Sequence, residues 1–305
     1  MTLPAPSRLT GATATGSYLD KLAARTAATK TVLCLGLDPD PSALPAGFTP
    51  DVRGLEAFAR LVLDAALPFA AAVKPNLAFY EALGSAGIAA LERLRASIPA
   101  DVPVILDGKR GDIGSTATRQ AVALFDVLGA DAVTVNPYLG AAAIEPLLER
   151  ADRFAYLLCR TSNPGAGDLQ DLVVAADPSR DAPAEPLWAR VARLAPRWGR
   201  GGTVGLVVGA TAPDELRAIR RIAPGLPFLV PGVGVQGGDI DAVLEAGPAV
   251  ALPNGPRPGG GLIVNVSRAI AGAATGARRG DNGGDPAELV AAAARSWAER
   301  LPVLR

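Results

Sequence analysis

The sequence contains no histidine among its 305 residues. Histidine is the commonest general base of enzymes, the usual partner of nucleophilic serine and cysteine, and the commonest metal ligand among side chains. Its absence excludes serine–histidine and cysteine–histidine nucleophile pairs as well as histidine-based metal sites. Any catalysis must rest on carboxylates, lysines, arginines and backbone groups.

Long apolar runs and an excess of one charge are also missing. No uninterrupted apolar stretch is long enough to span a bilayer. The 30 basic residues balance 30 acidic ones, which favours neither nucleic acid nor an anionic membrane as partner. The first 16 residues lack an apolar centre, so we expect a disordered N-terminus and not a signal peptide. We therefore expect a cytoplasmic protein.

Cysteine and lysine are both scarce. The two cysteines, Cys34 and Cys159, lie in apolar runs, which favours buried thiols in a reducing compartment and leaves a disulfide between them as the alternative. Only four of the 30 basic residues are lysines: Lys21, Lys30, Lys74 and Lys109. Lysine can donate a proton where arginine cannot, so these four are candidates for such a task. Chance retention is an equal alternative for the first two.

The stretch 102–116, VPVILDGKRGDIGST, combines an apolar strand with a cluster of charges. Asp107 and Lys109 are two residues apart, so an extended backbone would point both side chains the same way. The alternative is a polar connection between a strand and a helix, in which Asp112 caps a helix beginning near Ile113 and Lys109 is solvated.

Apolar strand patterns alternate with helical patterns along the whole chain. We predict eight strands, at 31–37, 69–73, 102–106, 132–135, 154–159, 203–208, 228–230 and 262–266. We predict helices over 17–29, 51–67, 78–97, 113–128, 140–150, 184–198, 213–222, 238–246 and 286–299. This alternation, without a Gly-x-Gly-x-x-Gly after the first strand, favours an α/β fold of the (β/α)8 (TIM) barrel type over a doubly wound sheet.

The predicted barrel is a single domain over residues 17–272, followed by a linker and a C-terminal helix over 273–305 that packs on it. A polar insert is expected at 165–183, and a mobile loop rich in glycine and proline at 253–261. Seven polar residues follow predicted strands and would meet at one rim of the barrel, where barrel active sites lie. They are Asp38, Lys74, Asp107, Lys109, Ser162, Gln236 and Arg268.

Seven segments resemble one family in chain order. They are LGLDPD (35–40), VKPN (73–76), LDGKRGDIGST (106–116), TVNPYLG (134–140), LCRTSNPGAG (158–167), VPGVGVQGG (230–238) and LIVNVSRAI (262–270). Together they are similar to the orotidine 5′-phosphate decarboxylase family, above all to its longer bacterial branch. The resemblance implies decarboxylation of orotidine 5′-monophosphate to uridine 5′-monophosphate (UMP) in pyrimidine biosynthesis.

The same resemblance implies a role for each matching residue. Asp107 and Lys109 would be the central acid and the proton donor, within a charge network that Lys74 and Asp38 complete. The other implied site residues are Asp112 and Thr116 (reaching into the neighbouring subunit's site), Ser162 (pyrimidine), Gln236 and Arg268 (phosphate) and Pro231 (pocket shape). The resemblance further implies a homodimer without cofactor or metal. Gly108 departs from the family, which usually has alanine there.

Two other functions stay open on sequence grounds. One is a sugar-phosphate decarboxylase or aldolase that uses the same acid–lysine motif with Mg²⁺. Such an enzyme would be expected to carry an acidic ligand after the second strand, where this chain has Lys74. The other is a non-catalytic nucleotide-binding barrel, which would be expected to have lost one of the charges.

Overall fold

Eight parallel strands form a nearly closed barrel in the computed structural model, which describes residues 17–180, 183–199, 201–252, 255–278 and 284–304. The strands are β1 Leu33–Leu37, β2 Ala72–Pro75, β3 Ile105–Arg110, β4 Ala132–Val135, β5 Phe154–Arg160, β6 Val204–Val208, β7 Phe228–Pro231 and β8 Ile263–Val266. Their order is β2-β1-β8-β7-β6-β5-β4-β3. The Val73 N–H donates to the Pro103 carbonyl at 2.9 Å and joins β2 to the start of β3. The predicted (β/α)8 barrel is confirmed.

Helices follow the strands and cover the barrel. They are α1 Tyr18–Thr29, α2 Val52–Ala66, α3 Leu77–Glu81, α4 Gly84–Ser97, α5 Gly114–Ala121, α6 Glu145–Leu148, α7 Gly167–Gln170, α8 Leu187–Trp198, α9 Pro213–Ile222, α10 Ile240–Ala246, α11 Arg268–Ala271 and α12 Pro286–Arg300. One apolar layer fills the space between strands and helices, and a second fills the barrel interior. The strands are thus buried on both faces, which explains their uninterrupted apolar runs.

Helix α1 closes the N-terminal end of the barrel. The ring of Tyr18 stacks on Phe154 at 5.0 Å between centroids, and its hydroxyl lies 3.0 Å from that of Tyr156. Lys21 Nζ lies 2.8 Å from Asp131 Oδ2 and ties the helix to the start of β4. Lys30 is the exposed, left-handed residue that ends α1. These two lysines therefore belong to the closed end, far from the opposite rim.

Several predicted boundaries are wrong. The helix predicted over 78–97 is broken into α3 and α4 at Gly84, whose φ is +61°. The helix predicted over 140–150 shrinks to a 3-10 turn at Ala141–Ala143 and to α6, because Pro146 cannot donate a hydrogen bond to a preceding turn. Helix α5 continues as a π-helical turn over Val122–Val127.

Two parts of the described chain lie outside the regular barrel: the insert after β5 and the C-terminal helix. The insert holds α7 and the short strand Val173–Val174, which pairs antiparallel with Glu185–Pro186 just beyond the insert. Helix α12 packs against α2, and the Leu301 carbonyl accepts hydrogen bonds from the Val32 N–H and the Thr31 hydroxyl. Residues 1–16, 253–254 and 279–283, which include the predicted disordered N-terminus and parts of the predicted loop and linker, lie outside the described residues.

Two findings bear on the expected environment of the chain. Cys34 and Cys159 are free and buried, so the disulfide alternative is wrong. Burial raises the pKa of the Cys34 thiol to about 12. Within the described ranges, no helix combines the length and the apolar character needed to cross a membrane.

Candidate active site

A bulge in β3 carries the two central charged residues. Leu106 pairs with Val133 and Arg110 pairs with Val135, so three residues of β3 stand opposite the single residue Thr134 of β4. Lys109 has a φ of +47°, in the left-handed region that most residues avoid. The expectation of an extended backbone is therefore wrong at Lys109. The bulge, not a regular strand, brings the two side chains together.

Asp107 lies between two lysines. Its Oδ2 is 2.8 Å from Lys74 Nζ, and its Oδ1 is 2.8 Å from Lys109 Nζ. The side chain of Lys74 is 5% exposed and that of Asp107 is 12% exposed, whereas that of Lys109 is 49% exposed. These three residues form a charge array. It begins at the buried ammonium of Lys74, passes through the carboxylate of Asp107 and ends at the ammonium of Lys109, which faces the open rim.

Charge pairing outweighs burial at both inner residues. Burial alone disfavours the ammonium of Lys74, but the charges of Asp107 and Asp38 and the hydrogen bond to Asp107 raise its pKa overall. Burial alone disfavours the carboxylate of Asp107, but the charges of Lys74 and Lys109 and their hydrogen bonds hold its pKa well below the usual range. Both groups are therefore ionised at neutral pH.

Asp38 follows β1 and adds a second carboxylate to the array. Its charge is one cause of the raised pKa of Lys74. Its Oδ1 is buried and accepts no hydrogen bond from the described residues. Most buried carboxylate oxygens accept a hydrogen bond, so this oxygen is free to accept one from a bound molecule.

Thr134 is a site residue that our sequence reasoning missed. Its side chain is buried in β4, its Oγ1 lies 2.7 Å from Asp107 Oδ1, and it accepts the Lys109 N–H at 2.9 Å. The only signal in the sequence was a hydroxyl residue within the apolar strand AVTV. Its partners depend on the bulge, which the sequence did not reveal.

A second cluster lies across the mouth of the barrel, after β5 and β7. Gln236 Nε2 donates to Ser162 Oγ at 3.4 Å. Gly232, with a φ of +101°, lies beneath both residues, and a Cβ there would be 3.4 Å from Ser162 Oγ. Pro231 ends β7 directly before this glycine. The structure thus brings three of the predicted substrate-binding residues together.

Arg268 is exposed at the first position of α11. The loop that carries Gln236 adjoins this helix, because a Cβ at Gly234 would lie 3.5 Å from the Cβ of Ala269. The predicted phosphate-binding pair therefore lies on neighbouring segments at the same rim.

The loop after β5 is fastened to its own strand. Gln170 of α7 accepts the Thr161 N–H at 2.9 Å and donates to the Thr161 hydroxyl at 2.8 Å. The Arg160 guanidinium lies 3.2 Å from the Asp171 carboxylate. These contacts fix the segment on both sides of Ser162, and nothing in the sequence motif predicted them.

Asp112 and Thr116 lie apart from the charge array. In the described chain, no hydrogen bond or ion pair joins Asp112 to Lys74 or Lys109. Asp112 Oδ1 accepts the N–H of the adjacent Ile113 at 2.7 Å, and Ile113 itself takes the N-cap position of α5 without a side-chain bond. The capping alternative is therefore wrong. Thr116 is exposed and lines a groove of about 470 Å³ between α4 and α5.

Comparisons with known proteins find one family over most of the chain. A family model described as "Orotidine 5'-phosphate decarboxylase / HUMPS family" matches residues 31–280. The chain is 46% identical over 254 residues to orotidine 5′-phosphate decarboxylase of Herpetosiphon aurantiacus, covering 83% of this chain and 88% of the relative. It is 48% identical over 270 residues to that of Roseiflexus castenholzii, covering 88% and 90%.

A solved structure is similar over nearly the whole chain. The OMP decarboxylase of Leishmania donovani is 35% identical with a TM-score of 0.75, and the match covers 93% of this chain and 96% of that one. The similarity therefore extends over most of the fold.

Proposed function

The chain belongs to the orotidine 5′-phosphate decarboxylase / HUMPS family, and we propose that its lysine–carboxylate array carries out the reaction of that family. The protein is a carboxy-lyase that converts orotidine 5′-monophosphate to UMP, a step of pyrimidine biosynthesis. The observation that carries the mechanism is the placement of Asp107 between the buried Lys74 and the half-exposed Lys109.

The reaction breaks the bond between pyrimidine C6 and its carboxylate. The electron pair stays on C6, which has little resonance stabilisation, and CO2 leaves. An ammonium fixed beside C6 stabilises the developing negative charge, because a preorganised charge needs no reorganisation during the reaction. We assign this role to Lys109, whose Nζ lies at the rim-facing end of the array.

Lys109 then gives one proton from Nζ to C6 and becomes a neutral amine, which solvent reprotonates after UMP leaves. Asp107 and Lys74 orient this ammonium before the reaction. Asp107 also lies beside the position of the substrate carboxylate, and repulsion between two like charges is relieved when CO2 departs. Asp38 contributes its charge to the array from the β1 side.

The remaining rim residues bind the parts of the nucleotide that do not react. We assign Ser162 to the pyrimidine, Gln236 and Arg268 to the phosphate, and Pro231 to the shape of the pocket. Binding energy from a remote phosphate can be used to hold the reacting carbon against Lys109. The phosphate position after β8 is the one at which barrels commonly bind phosphate.

We further propose that the enzyme is a cytoplasmic homodimer with shared sites. Asp112 and Thr116 stand outside the array of their own chain and would complete that of the partner. The groove lined by Thr116 supports this, since apolar Leu77, Ile88 and Leu124 line it together with charged Arg110 and Glu81. In an interface, the apolar side chains would be covered by the partner and the charged ones would lie at the polar rim.

The activity is tested by the ultraviolet absorbance change on adding orotidine 5′-monophosphate to the purified protein, with and without a chelator. We expect turnover at the same rate in both, because Lys74 occupies the place where an acidic metal ligand would be needed. A Lys109→Ala variant serves as the blank. Loss of activity in chelator and its recovery with Mg²⁺ would instead support a metal-dependent reaction.

The phosphate site is tested by Arg268→Ala. We expect the variant to bind UMP much more weakly and to bind uridine as the wild type does, since only the first ligand carries the phosphate. Isothermal titration with both ligands measures the two affinities. An equal effect on both would remove Arg268 from the phosphate site.

A further inference from the structure

We propose that Thr134 is a positioning residue of the decarboxylase site, whose single hydroxyl fixes both the proton-donating lysine and the carboxylate beside it. The inference rests on the roles proposed above for Asp107 and Lys109. It adds a third residue, from a different strand, on which the geometry of both depends.

The direction of each hydrogen bond is forced by chemistry. The Lys109 peptide nitrogen can only donate, so Thr134 Oγ1 accepts at 2.9 Å. Asp107 is ionised and can only accept, so the Thr134 hydroxyl hydrogen is directed to Oδ1 at 2.7 Å. A threonine hydroxyl has one hydrogen and two lone pairs. Its hydrogen is thus committed to Asp107 and one lone pair to Lys109.

The first bond holds a strained backbone in place. Lys109 lies in the left-handed region, which a side chain bearing a Cβ adopts only when its surroundings impose it. The bulge lengthens β3 relative to β4, and the Lys109 N–H meets a side-chain oxygen of β4. Without the hydroxyl this N–H loses that partner, and the left-handed conformation loses one of its supports.

The second bond orients the carboxylate. Asp107 Oδ2 is fixed by the buried Lys74, while Oδ1 is shared by Lys109 and Thr134. Lys109 is half-exposed and must move its proton during the reaction. Thr134 is 2% exposed and cannot move away, so it holds Oδ1 in one place while Lys109 changes charge.

The competing explanation is that Thr134 is only a β-branched strand residue. Its neighbours Val133 and Val135 are apolar, and valine would suit such a position at least as well. Under that explanation, Thr134→Val leaves turnover unchanged. The two explanations therefore differ in a measurable way.

We would measure kcat, KM and the melting temperature for Thr134→Val, Thr134→Ser and Thr134→Ala. We expect Thr134→Val to lower kcat by about 10- to 100-fold, since a hydrogen bond to a charged group is lost, and to change KM only a few-fold. Thr134→Ser keeps the hydroxyl and should stay within a few-fold of wild type. Thr134→Ala differs from serine only by that hydroxyl, so their comparison isolates it even if the valine variant folds poorly.

Thr203→Val is the matched control. Thr203 is also buried, and its hydroxyl donates to the Leu148 carbonyl at 2.6 Å at the start of β6, at the opposite end of the barrel. This variant should lose stability without losing kcat. Wild-type kcat in Thr134→Val, or equal losses in the serine and alanine variants, would overturn the proposal.

Failure of the underlying mechanism is distinguishable. Lys109→Ala and Asp107→Asn are measured in the same series. If these two keep turnover, then the roles assigned to Asp107 and Lys109 are wrong. If they are inactive while Thr134→Val is normal, only the role of Thr134 is wrong.

Discussion

The stability that the charge array contributes to the fold depends on pH through Asp107 and Lys74. Its folded-state pKa is depressed, so its ionisation contributes stability at pH values above its unfolded pKa of about 3.9, and this contribution is lost as the pH falls from there toward the folded pKa. Lys74 has a raised pKa, so its contribution is complete below about pH 10.4 and is lost as the pH rises above that. Between about pH 5 and 9, both contributions are present.

We predict that the free energy of unfolding of the wild type, minus that of Asp107→Asn, falls when the pH is lowered from 7 to 3.5. The reason is that only the wild type has the carboxylate, so only the wild type loses the stability that its ionisation contributes as the pH falls. Urea unfolding at the two pH values measures it. A difference that does not change with pH would mean that Asp107 titrates alike in the folded and unfolded chain.

Lys109→Arg keeps the positive charge but should abolish turnover. The guanidinium is larger than an ammonium and holds its proton too firmly to give it to C6. The measurement is a single-turnover assay, with melting temperature and UMP binding as controls for folding. A rate within a few-fold of wild type would exclude Lys109 as the proton donor.

The ends of the apolar runs and the family resemblance predicted the residues of the charge array, but not what holds them in place. Two of these residues, Lys74 and Lys109, stand out because the chain has so few lysines. Asp107 stands out with them because it follows an apolar run. Thr134 could not be assigned, since a hydroxyl in a strand gains a role only from the residue opposite it. That register was set by a bulge, and a bulge leaves little trace in composition.

The strands and helices that carry the rim loops were likewise predicted in part from the sequence. Apolar runs predicted all eight strands, but β3 continues through Arg110 and includes charges that the sequence assigned to a loop. Charged side chains can occupy a strand here because they pair with one another at the barrel mouth. The loop after β5 is held by hydrogen bonds with Gln170. This residue lies eight positions beyond Ser162 and belongs to no recognisable motif, so the sequence did not predict its role.

Gln170→Ala should loosen the loop that carries Ser162. We expect KM to rise several-fold while kcat falls less, because Ser162 is assigned to substrate binding and the charge array is untouched. Steady-state kinetics measure both constants. Leu169→Gln is a suitable control, since Leu169 lies next to Gln170 on α7 and its side chain is exposed. Similar effects from both variants would indicate a general disturbance of α7.

The whole molecule should work as a pair of chains. Asp112 is half-buried and forms no ion pair with the described residues of its own chain, and the proposed dimer would supply Lys74 and Lys109 of the partner. We predict that Lys109→Ala and Asp112→Ala homodimers are each nearly inactive. After subunit exchange, a heterodimer holds one site with both lesions and one with neither, so it should recover toward half the wild-type activity.

Mixed dimers would be isolated with two different affinity tags before the assay. Unmixed variants, incubated and purified in the same way, are the control. If verified heterodimers stay inactive, Asp112 serves its own chain and the shared-site arrangement is wrong.

The position of β1 has a consequence for how the protein is made. This strand pairs with β2 on one side and with β8 on the other, and the residues just before it bond to Leu301. During translation one edge of β1 therefore has no partner until residues 263–266 have left the ribosome. An unpaired, apolar strand edge invites association with other chains. Nascent chains interrupted before that point should thus be much more prone to aggregate than the finished barrel, since the contacts that close it are the most distant in sequence.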